Sequence, residues 1–432
     1  MPPPPASPAC PAAARCPKPA VGFWVFGCRL NQAEAARWQE ALSAEGYPIV
    51  PREEAQLLCV HSCAVTEHAQ HEVLKSLRAF RKRHPTAKIL LSGCAATLLP
   101  PDCAEARLPH AQKADWLATA RALLATLPPP PAATLPPPPR GKTRAALIIQ
   151  DGCNQHCAYC IVPQLRGEPR SQPLNDLLAH AADLLARGHQ EIVLTGCHLA
   201  LYRDPATGAG LLTLLERLCA LPGGGRFRLS SLEPGLLDEP ALFRLVAQSR
   251  GRLCPFFHLP IQTAADPLLA RMGRRYTLRD LRVMLDALCE TLPYCGLGAD
   301  WIVGLPGESD QDAAQTRHLL AAYPFTGAHI FPYSRRPGTP AASMPGQIPP
   351  PTLRERLEAL TALAQATRLK ATQRFLGREL TVLPEVCRNG HWEGWSAERL
   401  RCRLSAPATR GRFAAFTPTA LSADVLCEAP PA

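Results

Sequence analysis

A chain of 432 residues with 47% hydrophobic content is long enough for two or three domains with cores of their own, which excludes a peptide-like or wholly disordered protein. Lys and Arg number 47 against 36 Asp and Glu, a net charge of +11, which favours an acidic partner, most often nucleic acid. The 18 cysteines fall short of the density of a disulfide-stapled secreted scaffold and point to a reducing compartment.

The opening "MPPPPASPACPAAARCPKPA" has neither the basic nor the apolar region of a secretory signal, and residues 1–20 are expected to be disordered. No apolar run is long enough to span a bilayer, so the expected location is cytoplasmic, with no membrane partner. From Val21 the pattern changes. "VGFWVFGCRL" reads as a strand running into a turn, "NQAEAARWQEALSAEG" as a helix stopped by Gly46, and "AQLLCVHSCAV" and "KILLSGCAAT" as two more strands. Alternating strands and helices imply a parallel sheet, whose ligand sites lie at the carboxyl ends of its strands. Each of the three strands ends at a cysteine: Cys28, Cys63 and Cys94. Spacing leaves two readings open, convergence into one site or burial as small hydrophobes; Cys59, inside its strand, is assigned to packing. No clear strand is legible between Cys94 and the end of this first domain, residues 21–126.

"LPPPPAATLPPPPR" reads as a stiff polyproline linker, residues 127–142. Residues 143–370, from "RAALIIQDG" to "AHIFPYS" and beyond, hold about six strand–helix repeats, too few for a closed eight-stranded barrel. The expected fold class is therefore α/β: a parallel-sheet N-terminal domain, a central partial (β/α)6 barrel, and a small all-β module over residues 371–432. A helix from residue 352 to about 374 leads into that module, whose strand-like runs are "RELTVLPEV", "RLRCRLSA" and "ADVLCEA".

The first barrel strand runs into "DGCNQHCAYC", with Cys153, Cys157 and Cys160 in one loop. A closed zinc site wants four ligands, whereas three thiols in one loop suit three corners of a four-iron cluster whose fourth iron stays open. A zinc site completed by His156 or a distant residue is the competing reading. "GLPGES" is no phosphate loop, because no Gly-Lys-Ser/Thr follows it.

The ordered set "GCRLNQAEA", "HSCAVTEHAQ", "SGCAA", "IQDGCNQHCAYCIVPQLRGEPRS", "LSSLEP", "HLPIQ", "RMGRRYT", "DWIVGLPGE" and "FPYSRRPGTPA" resembles the radical S-adenosylmethionine (SAM) methylthiotransferases over nearly the whole chain. The resemblance implies that Cys153, Cys157 and Cys160 hold a [4Fe-4S] cluster whose open iron binds SAM, and that Cys28, Cys63 and Cys94 hold a second. One SAM then methylates a sulfur at the second cluster, and another yields the radical that takes hydrogen from an inert carbon, a step that needs a cofactor. It implies an electron donor and a sulfur donor as further partners. Tyr159, Thr195, Gly196 and Gly304 fall in segments that line the SAM site in the superfamily, and Glu233, Gln262 and His258 sit at barrel strand ends as candidate cavity residues.

Within the family, "GCRLNQAEA" with "CAVTEHAQ", and "FPYSRRPGTPA", look most like the branch that modifies C2 of N6-threonylcarbamoyladenosine beside the tRNA anticodon. Other branches act on N6-isopentenyladenosine in tRNA or on a ribosomal aspartate. The family's C-terminal TRAM module binds RNA. Arg274, Arg275, Arg335 and Arg336 are the expected phosphate contacts and Trp392 and Trp395 the expected stacking residues, with "KSLRAFRKRH" (75–84) as a further basic run or a solvated helix face. The chain departs from the family at Thr263, Ala264, Ala265 and Asp266, where Ser-Gly-Ser-Asp is usual; this puts local geometry near the expected site in doubt.

Overall fold

The computed structural model describes residues 18–128, 143–236, 238–405 and 407–428, so most of the polyproline linker and the first residues lie outside the described parts. The described residues form two compact units, one of 18–27, 34–64 and 69–128, the other of 28–33, 65–68 and everything from 143 onward.

The first unit is a five-stranded parallel sheet. Its strands are β1 (Val21–Val25), β2 (Ile49–Val50), β3 (Leu57–Ser62), β4 (Lys88–Gly93) and β5 (Ala106–Leu108), in the order β2-β1-β3-β4-β5. All six residues of β3 are buried, as expected for a parallel strand covered on both faces. Val21, Leu57 and Leu90 pack with Leu42 of α1 (Arg29–Ala44) and Trp116 of α3 (Trp116–Leu124). Trp38 stacks on Trp116 with ring centroids 4.4 Å apart. Gly46, at φ 86°, ends α1, and the amide of Tyr47 returns to the carbonyl of Leu42, a left-handed cap that glycine adopts without steric cost. The basic run 75–84 belongs to α2 (Glu67–Arg83), whose Val73, Leu77 and Phe80 are buried; Lys75, Lys82 and Arg83 are exposed. The missing strand is present after all: β5 pairs with β4 from Leu90↔Ala106 to Ser92↔Leu108. Three residues with an arginine at the centre are too short a pattern to read from sequence.

The second unit contains six parallel barrel strands: β6 (Ala145–Ile148), β9 (Glu191–Thr195), β10 (Arg226–Leu229), β11 (Phe256–Gln262), β12 (Gly296–Val303) and β13 (Gly327–Pro332). Between β6 and β9 lies a short antiparallel pair, β7 (Gln150–Asp151) with β8 (Arg170–Ser171). β10-β9-β6 and β11-β12-β13 form two sheets joined by a parallel bridge, Ser231↔His258. Alternation sorts the side chains. Phe257, Leu259 and Ile261 of β11, and Leu297, Ala299, Trp301 and Val303 of β12, join the core under the helices; His258, Gln262 and Asp300 take the inner face.

A long helix, Pro350–Gln373, leads to a six-stranded sheet ordered β17-β14-β15-β16-β19-β18. Its strands are β14 (Leu380–Arg388), β15 (His391–Ser396), β16 (Arg401–Leu404), β17 (Ala414–Phe416), β18 (Ala420–Ser422) and β19 (Val425–Cys427). Among the described residues, no helix is long and apolar enough to cross a membrane.

One ion cluster ties this sheet to the barrel. Glu191 on β9 has no exposed surface, and it accepts from Arg226 Nε at 2.7 Å and from Arg228 Nε and Nη2 at 2.7 and 3.1 Å. The remaining guanidinium donors reach main-chain oxygens of the C-terminal sheet: Thr381 from Arg226, and Ser396 and Ala397 from Arg228. Burial alone would raise the Glu191 carboxyl, but Arg228, Arg226 and Arg144 hold it down at about 2. Removing one partner of such a set costs about 3–5 kcal/mol, because a buried charge is left uncompensated. Glu191→Gln is therefore expected to lower stability by that amount in urea unfolding. The wild-type contribution is complete above the ordinary carboxyl value of 4.5 and fades as pH falls toward 2, and the variant should lack this part of the acid dependence.

Candidate functional site

Cys63 and Cys94 follow β3 and β4 directly and are each 6% exposed. The Cys94 amide donates to Ser62 O at 3.0 Å, while Ser62 Oγ donates to Ser92 O and accepts from the Ala95 amide. Cys59 lies in the core with Leu57 and Leu90, and burial pushes its thiol up, in keeping with the packing role expected of it. Cys28 is exposed, with its thiol 3.5 Å from Asn31 Oδ1, and falls in the segment that groups with the second unit.

The three-cysteine loop starts from Gln150 and Asp151. Buried Gln150 accepts the His198 amide at 2.9 Å through Oε1, and its Nε2 donates to the carbonyls of Asp151 and Gly152, so it fastens the loop to the segment after β9. Asp151 Oδ1 accepts from the Gly152 amide, from Arg166 Nη1 at 2.8 Å and from the Cys197 thiol. Arg166, with a side chain 2% exposed, also donates to Asn31 Oδ1 at 2.6 Å. The loop then closes through Cys153 N to Gly167 O, Cys160 N to Cys157 O and Ala158 N to Met272 O, each 2.9 Å. Neither Gln150, Asp151, Arg166 nor His198 is singled out by sequence reasoning. Arg166 stands inside a matched motif, and that was the available signal.

None of Cys153, Cys157 and Cys160 is in a disulfide. Burial raises all three thiols, Cys160 to about 12 with added repulsion from Cys157 and Cys153. Such thiols ionise readily only beside positive charge, and a soft cation bound by three of them supplies it. The donor set thus fits three corners of an iron–sulfur cluster.

Arg274 lies beside these thiols and works against the rise at Cys157. Its Nη2 donates to Tyr159 Oη at 2.7 Å and to Pro260 O, and its guanidinium is ion-paired with Glu233. Glu233 also accepts from His198 Nε2 at 3.1 Å. Burial would raise the Glu233 carboxyl, but His198 and Arg274 outweigh it and lower it. This corrects one expectation: Arg274 is 9% exposed and engaged within the barrel, so it is not presented to a phosphate backbone. Arg336 is corrected likewise, at 2% exposure; a motif marks an arginine but not the partner that buries it. Arg275 and Arg335 are exposed. Trp392 is half-buried against the core of the C-terminal sheet, and Arg399 lies 4.5 Å over the ring of Trp395.

Thr195 ends β9, buried, and its carbonyl accepts from the Ile149 amide. A Cβ on Gly196 would lie 2.8 Å from Gln150 O, so close approach requires glycine there. Gly304 follows β12, and its amide is taken by Glu308 Oε2 at 2.9 Å. Gln262, buried at the end of β11, carries a positive φ of 68°. The unusual Thr263–Asp266 segment is a packed turn: Thr263 Oγ1 meets Thr316 Oγ1 at 3.1 Å, Ala264 and Ala265 are fully buried, and Asp266 accepts the Leu278 amide.

In cluster-free protein, Cys153, Cys157 and Cys160 are expected to react with iodoacetamide only above the ordinary thiol value of 9.0. Arg274→Met should move the Cys157 profile to still higher pH; an unchanged profile, read by peptide mass spectrometry, contradicts the placement of that charge.

Residues 147–320 match the model of the Radical SAM superfamily, and residues 20–112 that of Uncharacterized protein family UPF0004. Threonylcarbamoyladenosine tRNA methylthiotransferase MtaB of Thermotoga maritima is 33% identical over 84% of this chain and 86% of its own length, and the protein of that name from Chlamydia pneumoniae is 32% identical over 83% and 85%. The tRNA-2-methylthio-N(6)-dimethylallyladenosine synthase of Dehalococcoides mccartyi is 32% identical over 87% and 90%. In fold, the chain is similar to the radical SAM methyltransferase TsrM of Kitasatospora setae, with a TM-score of 0.54 at 15% identity over 75% of this chain and 77% of that one. A radical SAM core brings with it SAM and a [4Fe-4S] cluster, which the three-thiol loop fits. With identity at this level across most of both chains, beside a barrel whose first loop carries the three thiols, the chain belongs to the radical SAM methylthiotransferases.

Proposed function

We propose that this enzyme adds a methylthio group to C2 of N6-threonylcarbamoyladenosine next to the anticodon of tRNA, in the cytoplasm. The observation that carries the reading is the match to proteins named for that reaction over most of both chains. A second reading, N6-isopentenyladenosine as target, has support from relatives of the dimethylallyladenosine type at 32 and 33% identity; overall identity does not separate the branches, and the "GCRLNQAEA" and "FPYSRRPGTPA" motifs favour the first.

In this reading Cys153, Cys157 and Cys160 hold the cluster that binds SAM, and Cys28, Cys63 and Cys94, which follow β1, β3 and β4, neighbours in the sheet, hold a second [4Fe-4S] cluster that carries the sulfur to be delivered. When bound, the first cluster supplies the electron that cleaves SAM and so makes an inert C–H bond reactive. The chain's own residues position and insulate. Arg274 keeps positive charge beside the thiols and holds Tyr159 and Glu233 in place; Thr195, Gly196 and Gln262 line the SAM cavity; Gly304 serves through the turn it permits, its amide being engaged. Residues 21–126 act as the sulfur-carrying domain, 143–370 as the radical SAM domain and 371–432 as a TRAM-like module. Arg275 and Arg335 contact RNA phosphates, and Trp392 and Trp395 stand among the basic residues of the module. An electron donor and a sulfur donor complete the cycle.

The test is nucleoside mass spectrometry of total tRNA from cells with and without the gene. Loss of 2-methylthio-N6-threonylcarbamoyladenosine on deletion, restored by the intact gene and not by Cys157→Ala, is the expected result; its persistence overturns the substrate and turns attention to the isopentenyl nucleoside and the ribosomal aspartate. Replacing Cys28, Cys63 and Cys94 together by alanine should remove about half of the bound iron, since each cluster holds four irons, and unchanged iron rejects the second cluster.

A further inference from the structure

Three neighbouring strands of the barrel place a histidine, an aspartate and a histidine on one inner face. Register aligns His258 of β11 with Gly298 of β12, and Asp300 of β12 with His329 of β13. Asp300 Oδ1 is 3.3 Å from His258 Nε2 and 3.1 Å from His329 Nδ1, and one ligand atom from each residue lies within 4.8 Å of the other two. Two ligand atoms each ~2.1 Å from one ion, at tetrahedral to octahedral angles, stand ~3.0–3.4 Å apart. The two contacts to Asp300 already have that spacing.

The surroundings favour an ion over a self-sufficient hydrogen-bonded triad. Ser231 Oγ meets His258 Nδ1 at 2.9 Å, the outer contact that orients a ligating imidazole and directs its other nitrogen inward. That nitrogen, His258 Nε2, is buried and makes no well-directed hydrogen bond, although Asp300 lies close. The residues in register with His258 are Gly298 and Gly327, and a Cβ on Gly298 would lie 3.0 Å from the imidazole. The His329 side chain is 65% exposed, so an ion has a way in.

We propose that His258, Asp300 and His329 form a binding site for a divalent first-row metal ion, separate from the cysteine sites. Two imidazoles and one carboxylate suit such a dication and leave coordination positions open toward the barrel interior, where an anionic oxygen ligand can join. Nothing in this assignment depends on which substrate the enzyme modifies.

The experiment uses the full chain with its clusters reconstituted anaerobically, then titrated with Mn2+ in chelator-free buffer while free Mn2+ is read from its six-line electron paramagnetic resonance signal. Mn2+ is chosen because a hard ion avoids thiolates. One bound equivalent is expected, displaced by Zn2+, with binding lost in Asp300→Asn and in His329→Ala, and weakened about tenfold in Ser231→Ala. His329 is mostly exposed, so its variant should keep the thermal transition of the wild type and separate ligand loss from unfolding. Absence of bound Mn2+ in the wild type, or equal binding by wild type and both ligand variants, overturns the site.

Discussion

Parallel pairing is the constraint from which the chemistry of this chain follows. Strands that run the same way must all end on the same edge, and each return crosses the sheet outside it. In the first unit this puts the residues after β3 and β4 side by side, so that Cys63 and Cys94 come out of adjacent strands. In the barrel it gathers the three-cysteine loop after β6, the His198 segment after β9 and Glu233 after β10 at one edge. A set of residues scattered through the chain becomes one neighbourhood without any long-range device beyond strand direction.

Guanidinium–carboxylate pairing then sets the electrostatics at two depths. At Glu191 each donor of the two arginines finds an acceptor, and the result is a fastening between barrel and C-terminal sheet. At Glu233 a single arginine is shared among a carboxylate, a phenol and a carbonyl, and its charge acts on the thiols beside it. The surplus of arginine around Glu191 has its own effect: burial, together with Arg144 and Arg228, holds the guanidinium of Arg29 down to about 10, and burial with Arg29, Arg144 and Arg228 holds that of Arg399 to about 9.

Much of this was legible in the sequence, for physical reasons that also mark its limits. β1, β3 and β4 are apolar runs covered on both faces, and the six barrel repeats alternate between core and interior, so periodicity exposes them. β5, with Arg107 at its centre, and β15, "HWEGWS", carry no apolar alternation and become strands because neighbours recruit them. Arg274 and Arg336 looked like RNA contacts because composition records a charge and not its burial. Nor does the Thr263–Asp266 departure open the site: the threonine hydroxyl caps its own turn, and the positive φ falls on Gln262. Asp151, Arg166 and His198 carry no local signal of these contacts, because each acts through partners distant in sequence.

The fastening at Glu191 has a property that emerges only when the acceptors are considered as a class. Arg226 and Arg228 reach Thr381, Trp395, Ser396 and Ala397 entirely through main-chain oxygens. An oxygen of the peptide backbone survives almost any replacement of the side chain it belongs to. The C-terminal sheet can thus drift in sequence, remodelling its outer face, while staying moored to the barrel at the same points. Docking is inherited through the backbone, and the side chains of the sheet are left free to vary.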